Sequence, residues 1–389
     1  MIFFAHILFW FSAFLLVYHY VFFPLILKIL AASKKEDFAK YTENEFPKVA
    51  ILLAAYNEEK VIEKKIQSTF DTQYPLDKIT FYIGSDSSTD ATDSIVNKYQ
   101  EKFPQLVFRH FFARTGKPEI INQLEKETDA EILVLTDANV FFEPNTLTNL
   151  VSYFKSPSIG LVGGNIINIE TKKDGISNQE KAYLNAETKS KYYEGLLWGK
   201  MMGAFGGLYA LRKNCYVPVP KGFIVDDFYI SMKVIEADKK AINALDALAY
   251  EDVSNISSEE FRRKVRISIG NFQNLFAFKS LIFKDLTTFF CIVSHKVIRW
   301  IGPFLLLFQW VSALVLSLYS NVWVYILCLF SIFMLSPIFD LIFKKCGIHL
   351  KALRFFSHFI LMNVALMIGF FKFTIGNYSQ TWNPTQRNQ

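Results

Sequence analysis

Cysteine and histidine are scarce in this chain of 389 residues, which has four Cys and six His. The cysteines form no C-x-x-C pair and the histidines show no H-x-x-x-H spacing, so neither a disulfide framework nor a zinc site is predicted. No P-loop, G-x-G-x-x-G motif or G-x-S-x-G elbow is present. These absences exclude P-loop nucleotide hydrolysis, dinucleotide redox chemistry of the usual kind and serine hydrolysis.

The net charge of +6 is distributed unevenly. Residues 281–389 contain nine basic and two acidic residues, and the first 35 residues add three lysines. Residues 36–280 therefore hold 30 basic and 34 acidic residues, and no nucleic-acid partner is predicted for this slightly acidic segment. Basic residues beside apolar runs are typical of the cytoplasmic ends of membrane helices, so membrane lipids are the expected surroundings.

Long apolar runs lie at both ends of the chain. Residues 2–30 are long enough to span a membrane, and the first basic residues of the chain, Lys28, Lys34 and Lys35, lie at the C-terminal end of this run and just beyond it, which predicts a transmembrane helix (1–33) with an outside N-terminus. Further apolar runs predict a C-terminal transmembrane region (301–377), followed by a tail (378–389). These runs are Ile301–Tyr319, Val322–Phe343 and Phe355–Ile375. We therefore expect an integral protein of the cell or inner membrane.

Residues 271–300 mix aromatic and apolar residues with basic ones. This composition is typical of an amphipathic helix that lies in the membrane interface. A helix packed on the soluble domain would have the same pattern, and the sequence leaves that alternative open.

Residues 46–270 alternate short apolar runs with helical patterns, which predicts an α/β domain with a mainly parallel, Rossmann-like sheet. The predicted strands are Lys48–Ala55, Ile79–Gly84, Leu106–His110, Glu131–Thr136 and Gly160–Gly164. The predicted helices are Glu58–Phe70, Asp90–Glu101, Gly116–Glu127 and Asn145–Phe154. Ligands bind such sheets at the carboxyl ends of the strands.

Polar residues follow three of these strands. Asn57 and Asp90 precede helices, so each is explained by helix capping as readily as by binding. Asp137 is different because it ends a strongly apolar strand, where a carboxylate without a partner would cost several kcal/mol. A hard divalent cation shared with a diphosphate is a natural partner for it.

The ordered motifs resemble those of membrane-bound family 2 glycosyltransferases with the GT-A fold, the group that includes hyaluronan, chitin, cellulose and poly-N-acetylglucosamine synthases. The matching motifs are Tyr56-Asn57-Glu58-Glu59, Ser85-Asp86-Ser-Ser-Thr-Asp90, Arg114-Thr-Gly116-Lys117, Asp137-Ala-Asn139, Gly206-Gly207 with Arg212, Asp226-Asp227-Phe228 and Arg263-x-x-Arg266. Two further segments, Ser294–Trp300 and Trp382–Arg387, are also similar to this group.

The resemblance implies a nucleotide diphosphosugar donor and a Mg²⁺ or Mn²⁺ cofactor. It assigns donor binding to one set of residues: Ala55, Tyr56, Glu58, Asp86, Lys117, Asp137 and Arg266. Asp137 and Asn139 are the implied metal ligands, and the metal would stabilise charge on the leaving diphosphate. Arg266 would bind phosphate oxygens.

The resemblance also implies an acceptor side. Asp227 would be the general base that deprotonates the acceptor hydroxyl. Asp226, Gly206, Arg263 and Trp198 would line the acceptor site. The competing interpretation of Asp226 and Asp227 is that they cap the helix that begins near Phe228.

Three positions depart from the family pattern. Asn139 replaces the second Asp of D-x-D, Ser85 replaces the first acid of D-D, and Ile267 replaces the Trp of Q-x-x-R-W. Processive synthases stack the acceptor sugar on that Trp, and Trp198, Tyr193 or Trp382 would have to supply the aromatic surface instead. The tail poses another conflict. If the segment Trp382–Arg387 serves the active site, it must be cytoplasmic, whereas counting spans places it outside the cell.

The sequence therefore predicts an inverting glycosyltransferase that moves a sugar, most simply from a UDP-sugar, to a growing polysaccharide or a membrane-associated acceptor. Two alternatives stay open: a non-processive transferase that forms a glycolipid, and a catalytically inactive membrane subunit that binds or scaffolds. The missing Trp favours the first alternative.

Overall fold

The computed structural model describes residues 1–42, 45–169, 177–252, 257–376 and 378. The chain divides into two compact units. One is an α/β unit of residues 30–177 and 181–255, and the other is a helical unit of residues 1–29, 178–180 and 256–378. The predicted tail motif, with Trp382 and Arg387, lies outside the described residues.

The α/β unit is built on an eight-stranded sheet in the order β3-β2-β1-β4-β7-β6-β8-β5. The strands are β1 Val49–Ala55, β2 Ile79–Asp86, β3 Leu106–Phe111, β4 Ile132–Thr136, β5 Val140–Phe142, β6 Ile159–Ile169, β7 Leu208–Arg212 and β8 Lys240–Asp252. Every residue of β1 and β4 is buried, as expected for central strands covered on both faces.

Strands β1 to β4 form a parallel half in which β1 pairs with both β2 and β4. Ala55 at the end of β1 lies beside Ser85 in β2. Strand β7 then runs antiparallel to both β4 and β6, while β6 and β8 are parallel. The sheet is thus mainly parallel, as the sequence predicted, with an antiparallel strand at its centre.

Helices pack on the sheet of the α/β unit. They are α3 Ile62–Phe70, α4 Thr92–Lys102, α5 Lys117–Lys126, α6 Thr146–Ser152, α7 Ser177–Trp198 and α8 Asp226–Glu236, with short 3₁₀ turns at Leu76–Lys78, Tyr153–Lys155 and Lys213–Cys215. Apolar residues of α3, α4 and α6 join those of β1, β2 and β4 in one buried core. Helix α5 begins with Pro118 in its first turn, where the missing N–H costs no helical hydrogen bond.

The helical unit contains the apolar ends of the chain. Its helices are α1 Ile2–Val17, α2 Phe23–Ala31, α9 Ser257–Ala277, α10 Lys279–Ile282, α11 Leu286–Ile292, α12 Ile298–Trp300, α13 Gly302–Ser317, α14 Asn321–Met334, α15 Ser336–Lys345 and α16 Lys351–Ile375. A π-helical turn, Tyr18–Phe22, joins α1 to α2, and a second, Val293–Val297, joins α11 to α12. Helix α9 is continuous across residue 270, where the sequence had placed a boundary.

Two described helices are long and apolar enough to cross a membrane: Ile2–Ala31 and Lys351–Ile375. Two bent pairs would add a span each if each pair crosses as one segment. These are Leu286–Trp300 with Gly302–Ser317, bent by 60°, and Asn321–Met334 with Ser336–Lys345, bent by 53°. The second expected apolar run, Val322–Phe343, is thus interrupted at Leu335.

The two π-helical turns contact each other through polar side chains. The hydroxyl of Tyr18 and the hydroxyl of Ser294 are 2.8 Å apart, and His19 Nδ1 lies 2.8 Å from the Ser294 carbonyl oxygen. His19 and His295 are both buried.

Candidate active site

The carboxyl ends of β1, β2 and β4 meet at one edge of the sheet. Ala55, Asp86 and Thr136 are the last residues of these strands. All three are buried, so the loops that follow them carry the accessible chemistry. This edge is where a parallel α/β sheet places its ligands.

Asp86 organises the loop between β3 and α5. Its carboxylate accepts hydrogen bonds from the backbone N–H groups of Thr115, at 2.5 Å, and Gly116, at 3.2 Å. Arg114 Nε donates to the same carboxylate at 3.1 Å. Asp86 is only 1% exposed, so its main contribution is to fix the loop that leads into Lys117. Direct contact of Asp86 with a nucleobase stays a prediction.

Arg114 also covers the side chain of Tyr56. Its guanidinium carbon lies 3.3 Å from the centre of the Tyr56 ring, a close cation–π stack. The Asp86 carboxylate accepts a hydrogen bond from Nε of the same guanidinium. The sequence motif contained Arg114, but only the structure shows that it joins Tyr56 to Asp86.

The loop after β1 is tied to the loop after β2. Asn57 has a φ of 52° and its Oδ1 accepts a hydrogen bond from the Thr89 N–H at 2.8 Å. The alternative that Asn57 caps the helix following it is therefore wrong, since its side chain bonds across to the neighbouring loop. Asp90 Oδ1 accepts from the Thr92 N–H at the first residue of α4, while its Oδ2 accepts from the Glu59 N–H in the neighbouring loop, so Asp90 both bonds to the helix start and joins the two loops. Glu58 is buried and its N–H donates to the Thr92 hydroxyl at 2.8 Å.

Asp137 is paired with a cation of the chain itself. Lys117 Nζ donates to Asp137 Oδ1 at 2.6 Å and lies 4.0 Å from Asp226 Oδ2. The expectation of a strand-end carboxylate with no protein partner was wrong, because the lysine side chain reaches it from the first turn of α5. Burial lowers the pKa of Lys117, but the carboxylates of Asp137, Asp226 and Asp227 outweigh burial and hold that pKa above its ordinary value.

Asn139 contacts a carboxylate from another strand. Its amide nitrogen donates to Glu251 Oε1 in β8 at 2.9 Å, and the residue is buried. Glu251 was not identified from the sequence, since nothing in the β8 pattern marks it. The role of Asn139 as a metal ligand stays a prediction, and its amide nitrogen is already used to join the turn after β4 to β8.

Asp137 is suited to bind a divalent cation that is also coordinated by the substrate. No group of three or more His, Cys, Asp or Glu side chains within the described ranges is arranged to hold a metal ion. Asp137 keeps 39% of its side chain exposed, although one of its oxygens contacts Lys117. Mg²⁺ commonly binds to one or two carboxylates together with substrate phosphates. Asp137 therefore fits a cation whose other ligands are phosphate oxygens and water.

Asp226 and Asp227 occupy the first turn of α8, where the helix dipole favours negative charge. Val225 is at the N-cap position, and Asp227 Oδ1 accepts from the Phe228 N–H at 2.7 Å. Asp226 is 8% exposed, and its Oδ2 has no hydrogen-bond partner among the described atoms. One carboxylate therefore bonds to the helix start, and the other lies toward Lys117.

Gly206 and Gly207 lie close to the carboxylates of Asp227 and Asp137. A Cβ atom at residue 206 would lie 2.8 Å from Asp227 Oδ2, and one at Gly207 would lie 3.8 Å from Asp137 Oδ2. The Lys117 ammonium is also 3.5 Å from the Gly206 carbonyl oxygen. This glycine pair lets both carboxylates approach the same short segment of backbone.

The pKa of Asp227 suits proton transfer near neutral pH. Burial and, next, the neighbouring Asp226 carboxylate raise the pKa of Asp227 to about 6, although Lys117 and Lys191 oppose the rise. Lys191 lies in α7, is buried, and places its ammonium 3.5 Å from the centre of the Phe205 ring, next to Gly206. Sequence reasoning missed Lys191 because α7 has mixed charges all along it.

Three further predicted acceptor or phosphate residues lie on helices α7 and α9. Trp198 is half-buried at the end of α7. Arg263 and Arg266 belong to α9 of the helical unit, where Arg263 Nη1 lies 3.5 Å from Glu260 Oε2. Their roles toward donor or acceptor stay predictions.

Part of the α/β unit matches the model of a known protein family. Residues 50–216 match the family model Glycosyl transferase family 2, a range that includes Tyr56, Asp86, Lys117, Asp137 and Gly206. The chain thus carries a family 2 glycosyltransferase domain. Asp226 and Asp227 lie just beyond the matched range.

Two curated relatives have the same name. The Beta-monoglucosyldiacylglycerol synthase of Synechocystis sp. (strain ATCC 27184 / PCC 6803 / Kazusa) is 31% identical over 150 residues, which is 36% of this chain and 31% of that protein. The Beta-monoglucosyldiacylglycerol synthase of Nostoc sp. (strain PCC 7120 / SAG 25.82 / UTEX 2576) is 26% identical over 184 residues, 47% of this chain and 38% of that protein. The matched segment therefore spans well under half the length of each relative.

A solved structure resembles nearly the whole chain. The mannosyltransferase PcManGT from Pyrobaculum calidifontis, in complex with GDP-Man and Mn²⁺, aligns with a TM-score of 0.72 and 21% identity. The alignment covers 95% of this chain and 100% of that protein. At this identity the likeness shows the fold, and the predicted GT-A α/β fold is confirmed.

Proposed function

We propose that this protein transfers one sugar from a nucleotide diphosphosugar, most simply a UDP-sugar, to a lipid acceptor at a membrane, with inversion at the anomeric carbon. The observation that carries the proposal is that Asp227 and the pair formed by Lys117 and Asp137 all lie close to the backbone of Gly206 and Gly207. A carboxylate base and a diphosphate site with a lysine ammonium beside one short backbone segment are the parts that such a transfer needs.

The reaction follows from these positions. Asp227 Oδ2 takes the proton of the acceptor hydroxyl, and the hydroxyl oxygen forms a bond to the anomeric carbon. The bond from that carbon to the β-phosphate oxygen breaks, and the nucleoside diphosphate leaves with the electron pair. A single displacement inverts the anomeric configuration. Since the pKa of Asp227 is about 6, the carboxylate is ionised at pH 7 and is still basic enough to accept the proton.

Lys117 stabilises the leaving group. Its pKa is held above the ordinary value, so the ammonium stays charged while it faces Asp137 and Asp226. When a diphosphate enters, the ammonium can exchange its contact with Asp137 for a phosphate oxygen. A fixed positive charge at a developing anion lowers the barrier without reorganisation.

Asp137 would hold a Mg²⁺ or Mn²⁺ ion together with the donor phosphates. The cation would supply Lewis acidity to the leaving diphosphate. The structural neighbour binds Mn²⁺ with its own donor, which supports testing this metal first.

Donor binding is assigned to the edge formed by Tyr56, Asp86 and Arg114. The ring of Tyr56 and the guanidinium plane of Arg114 offer flat surfaces for a nucleobase. Because these two groups stack on each other, base binding requires Arg114 to move or to present its outer face.

The glycolipid alternative is better supported than polysaccharide synthesis. Both reported curated relatives are named for a glucosylated diacylglycerol. Ile267 also stands where processive synthases have the Trp that holds the growing chain. We therefore propose a non-processive enzyme whose acceptor is a membrane lipid with a free hydroxyl.

Membrane attachment follows from the apolar helices. The helix Ile2–Ala31 and the helix α16 are proposed to anchor the chain, with the α/β unit on the cytoplasmic side, because Lys28 lies near the C-terminal end of the first span and Lys34 and Lys35 follow it. An active site at the membrane surface would then receive a soluble donor and an acceptor from the bilayer.

A donor screen with product extraction tests the proposal. Purified full-length protein is incubated with UDP-glucose, UDP-N-acetylglucosamine or GDP-mannose, with Mg²⁺ or Mn²⁺, and with vesicles containing diacylglycerol. Released nucleoside diphosphate and radiolabel in the organic phase are both measured. One labelled sugar per extracted lipid is the expected product.

Other outcomes separate the alternatives. Long water-soluble polymer from a single donor would support polysaccharide synthesis. Nucleotide binding without release of diphosphate from any donor would support the inactive binding subunit.

A further inference from the structure

Lys65 occupies a position of α3 that the helical pattern reserves for an apolar residue. The buried residues Ile62, Lys65, Ile66, Thr69 and Phe70 follow the i, i+3, i+4, i+7, i+8 spacing of a core-facing stripe. Lys65 is 0% exposed, whereas Lys64 beside it is exposed. A lysine is almost never fully buried without a partner, so its amine must have a specific task.

The Lys65 amine joins both ends of the turn that carries Asp137. Its Nζ donates to Thr136 Oγ1 at 2.9 Å, just before the turn, and to the Val140 carbonyl oxygen at 2.7 Å, just after it. It also lies 3.4 Å from the centre of the Phe142 ring. Lys65 therefore bonds to the residues on both sides of the turn 137–139.

The contact extends through Thr136 to the glycine pair. Thr136 Oγ1 donates to the Gly207 carbonyl oxygen at 2.9 Å, and the Asp137 N–H donates to the same oxygen at 3.3 Å. The turn closes with a hydrogen bond from the Val140 N–H to the Asp137 carbonyl oxygen at 3.2 Å. Lys65 thus supports the two backbone segments that present Asp137 and Gly206.

We propose that Lys65 is a positioning residue for the metal and diphosphate site, acting through Thr136 and the turn 137–139 and touching neither ligand itself. This inference rests on the proposed function. Ordered supports behind a metal ligand are commonly worth about 10–100-fold in metal affinity. Loss of the Lys65 amine should loosen Asp137 and weaken the binding of Mn²⁺ with a nucleoside diphosphate.

The variants are Lys65→Met, which keeps the chain length and removes the amine, and Lys64→Met as the exposed neighbour control. Thr136→Val removes the linking hydroxyl, and Thr136→Ser restores it. Thr69→Val is a second control because Thr69 is equally buried in α3, and its hydroxyl donates to the Lys65 backbone carbonyl oxygen alone. Thermal unfolding identifies variants that fold.

Two readouts that do not need turnover test the inference. Hydrogen exchange of a peptide spanning residues 136–142 reports the turn in the free protein. Titration of Mn²⁺ in the presence of UDP or GDP, followed by electron paramagnetic resonance, reports the loaded site. We expect Lys65→Met and Thr136→Val to accelerate exchange and to weaken Mn²⁺ binding by about tenfold or more. Lys64→Met, Thr136→Ser and Thr69→Val should stay within about threefold of the wild type, the scale of context variation.

The inference is overturned if folded Lys65→Met exchanges and binds Mn²⁺ as the wild type does, or if Thr69→Val weakens binding as much as Thr136→Val. Should Lys65→Met fail to fold, the Thr136→Val and Thr136→Ser pair decides by the same criteria. A wild-type protein that binds neither nucleotide with Mn²⁺ contradicts the proposed metal site instead. The exchange measurement then still shows whether Lys65 holds the turn.

Discussion

Asp227 Oδ2 lies 2.8 Å from the point where residue 206 would place a Cβ atom, so only glycine at this position leaves the carboxylate in place. Real Cβ atoms essentially never come so close to another heavy atom. The carboxylate would have to turn away, which removes it from the acceptor side.

Gly206→Ala is therefore expected to lower kcat about 100-fold or more, because a misplaced base loses most of its contribution. Gly207→Ala is the matched control. A Cβ there would also be crowded, at 2.9 Å from Ile166 Cδ1 and Val140 Cγ2, but it would lie at an ordinary 3.8 Å from Asp137 Oδ2, so this variant measures the effect of crowding that does not displace Asp227. Initial transfer rates and thermal unfolding are measured for both. Equal losses in the two variants would contradict a specific role of residue 206.

Replacement of the two acids should have unequal effects. Asp227→Asn removes the base and is expected to lower kcat about 10²–10⁴-fold while nucleotide affinity changes little. Asp226→Asn keeps the base, so its loss of kcat should be smaller. Transfer of radiolabelled sugar gives the rates, and calorimetry with UDP gives the affinity. Normal turnover in Asp227→Asn would falsify its assignment as the base.

Much of the sheet was predictable because its strands are continuous apolar runs. The ends of β1 and β4 were located correctly, and Asp86 and Asp137 fall at or just after strand ends as expected. Strands β5, β7 and β8 were not predicted, since their pairing partners are distant in sequence and β7 runs antiparallel between β4 and β6. Local patterns carry no information on such pairing.

Side-chain partners were harder to predict than backbone positions. Lys117 was expected near the nucleotide, but its contact with Asp137 depends on the orientation of α5, which the sequence does not encode locally. Ser85 stands where the family has an acid, and the structure supplies the reason: its hydroxyl donates to Asp93 Oδ1, where a second carboxylate would be repelled. Lys65 did leave a signal, because a charge in an apolar stripe marks a local conflict.

The pH dependence of transfer should report the ionisation of Asp227. Since its pKa is raised to about 6, log(kcat/KM) is expected to rise with unit slope below pH 6 and to level off above it. Lys191 opposes the rise of this pKa, so in Lys191→Met the pH at which log(kcat/KM) levels off should be higher. Lys189→Met, an exposed change in the same helix, is the control. If the pH dependence of log(kcat/KM) is unchanged in Lys191→Met, Lys191 does not influence the pKa of Asp227.

The raised pKa of Asp227 should also make the stability of the folded protein depend on pH. The folded pKa of about 6 exceeds the ordinary value of 3.8, so the unfolded state loses its proton more readily. The contribution of Asp227 to stability is therefore fully present below pH 3.8 and is lost as pH rises through 6. Asp227→Asn is expected to raise the melting temperature at pH 8 and to change it little at pH 4. A melting temperature that falls at pH 8 would contradict the buried, raised-pKa description of Asp227.

Asp86 should be essential for the nucleotide site even though it is almost fully buried. In Asp86→Asn an amide NH₂ replaces one of the two oxygens that accept from Arg114, Thr115 and Gly116, so at least one buried donor loses its acceptor. An unsatisfied buried group costs about 1–3 kcal/mol, and the loop ahead of Lys117 would loosen. We expect a lower melting temperature together with about tenfold or greater loss of UDP affinity measured by calorimetry. The exposed change Asp71→Asn controls for charge. If Asp86→Asn lowers the melting temperature but leaves UDP affinity intact, the loop is a structural support alone and the nucleotide must bind elsewhere on the sheet edge.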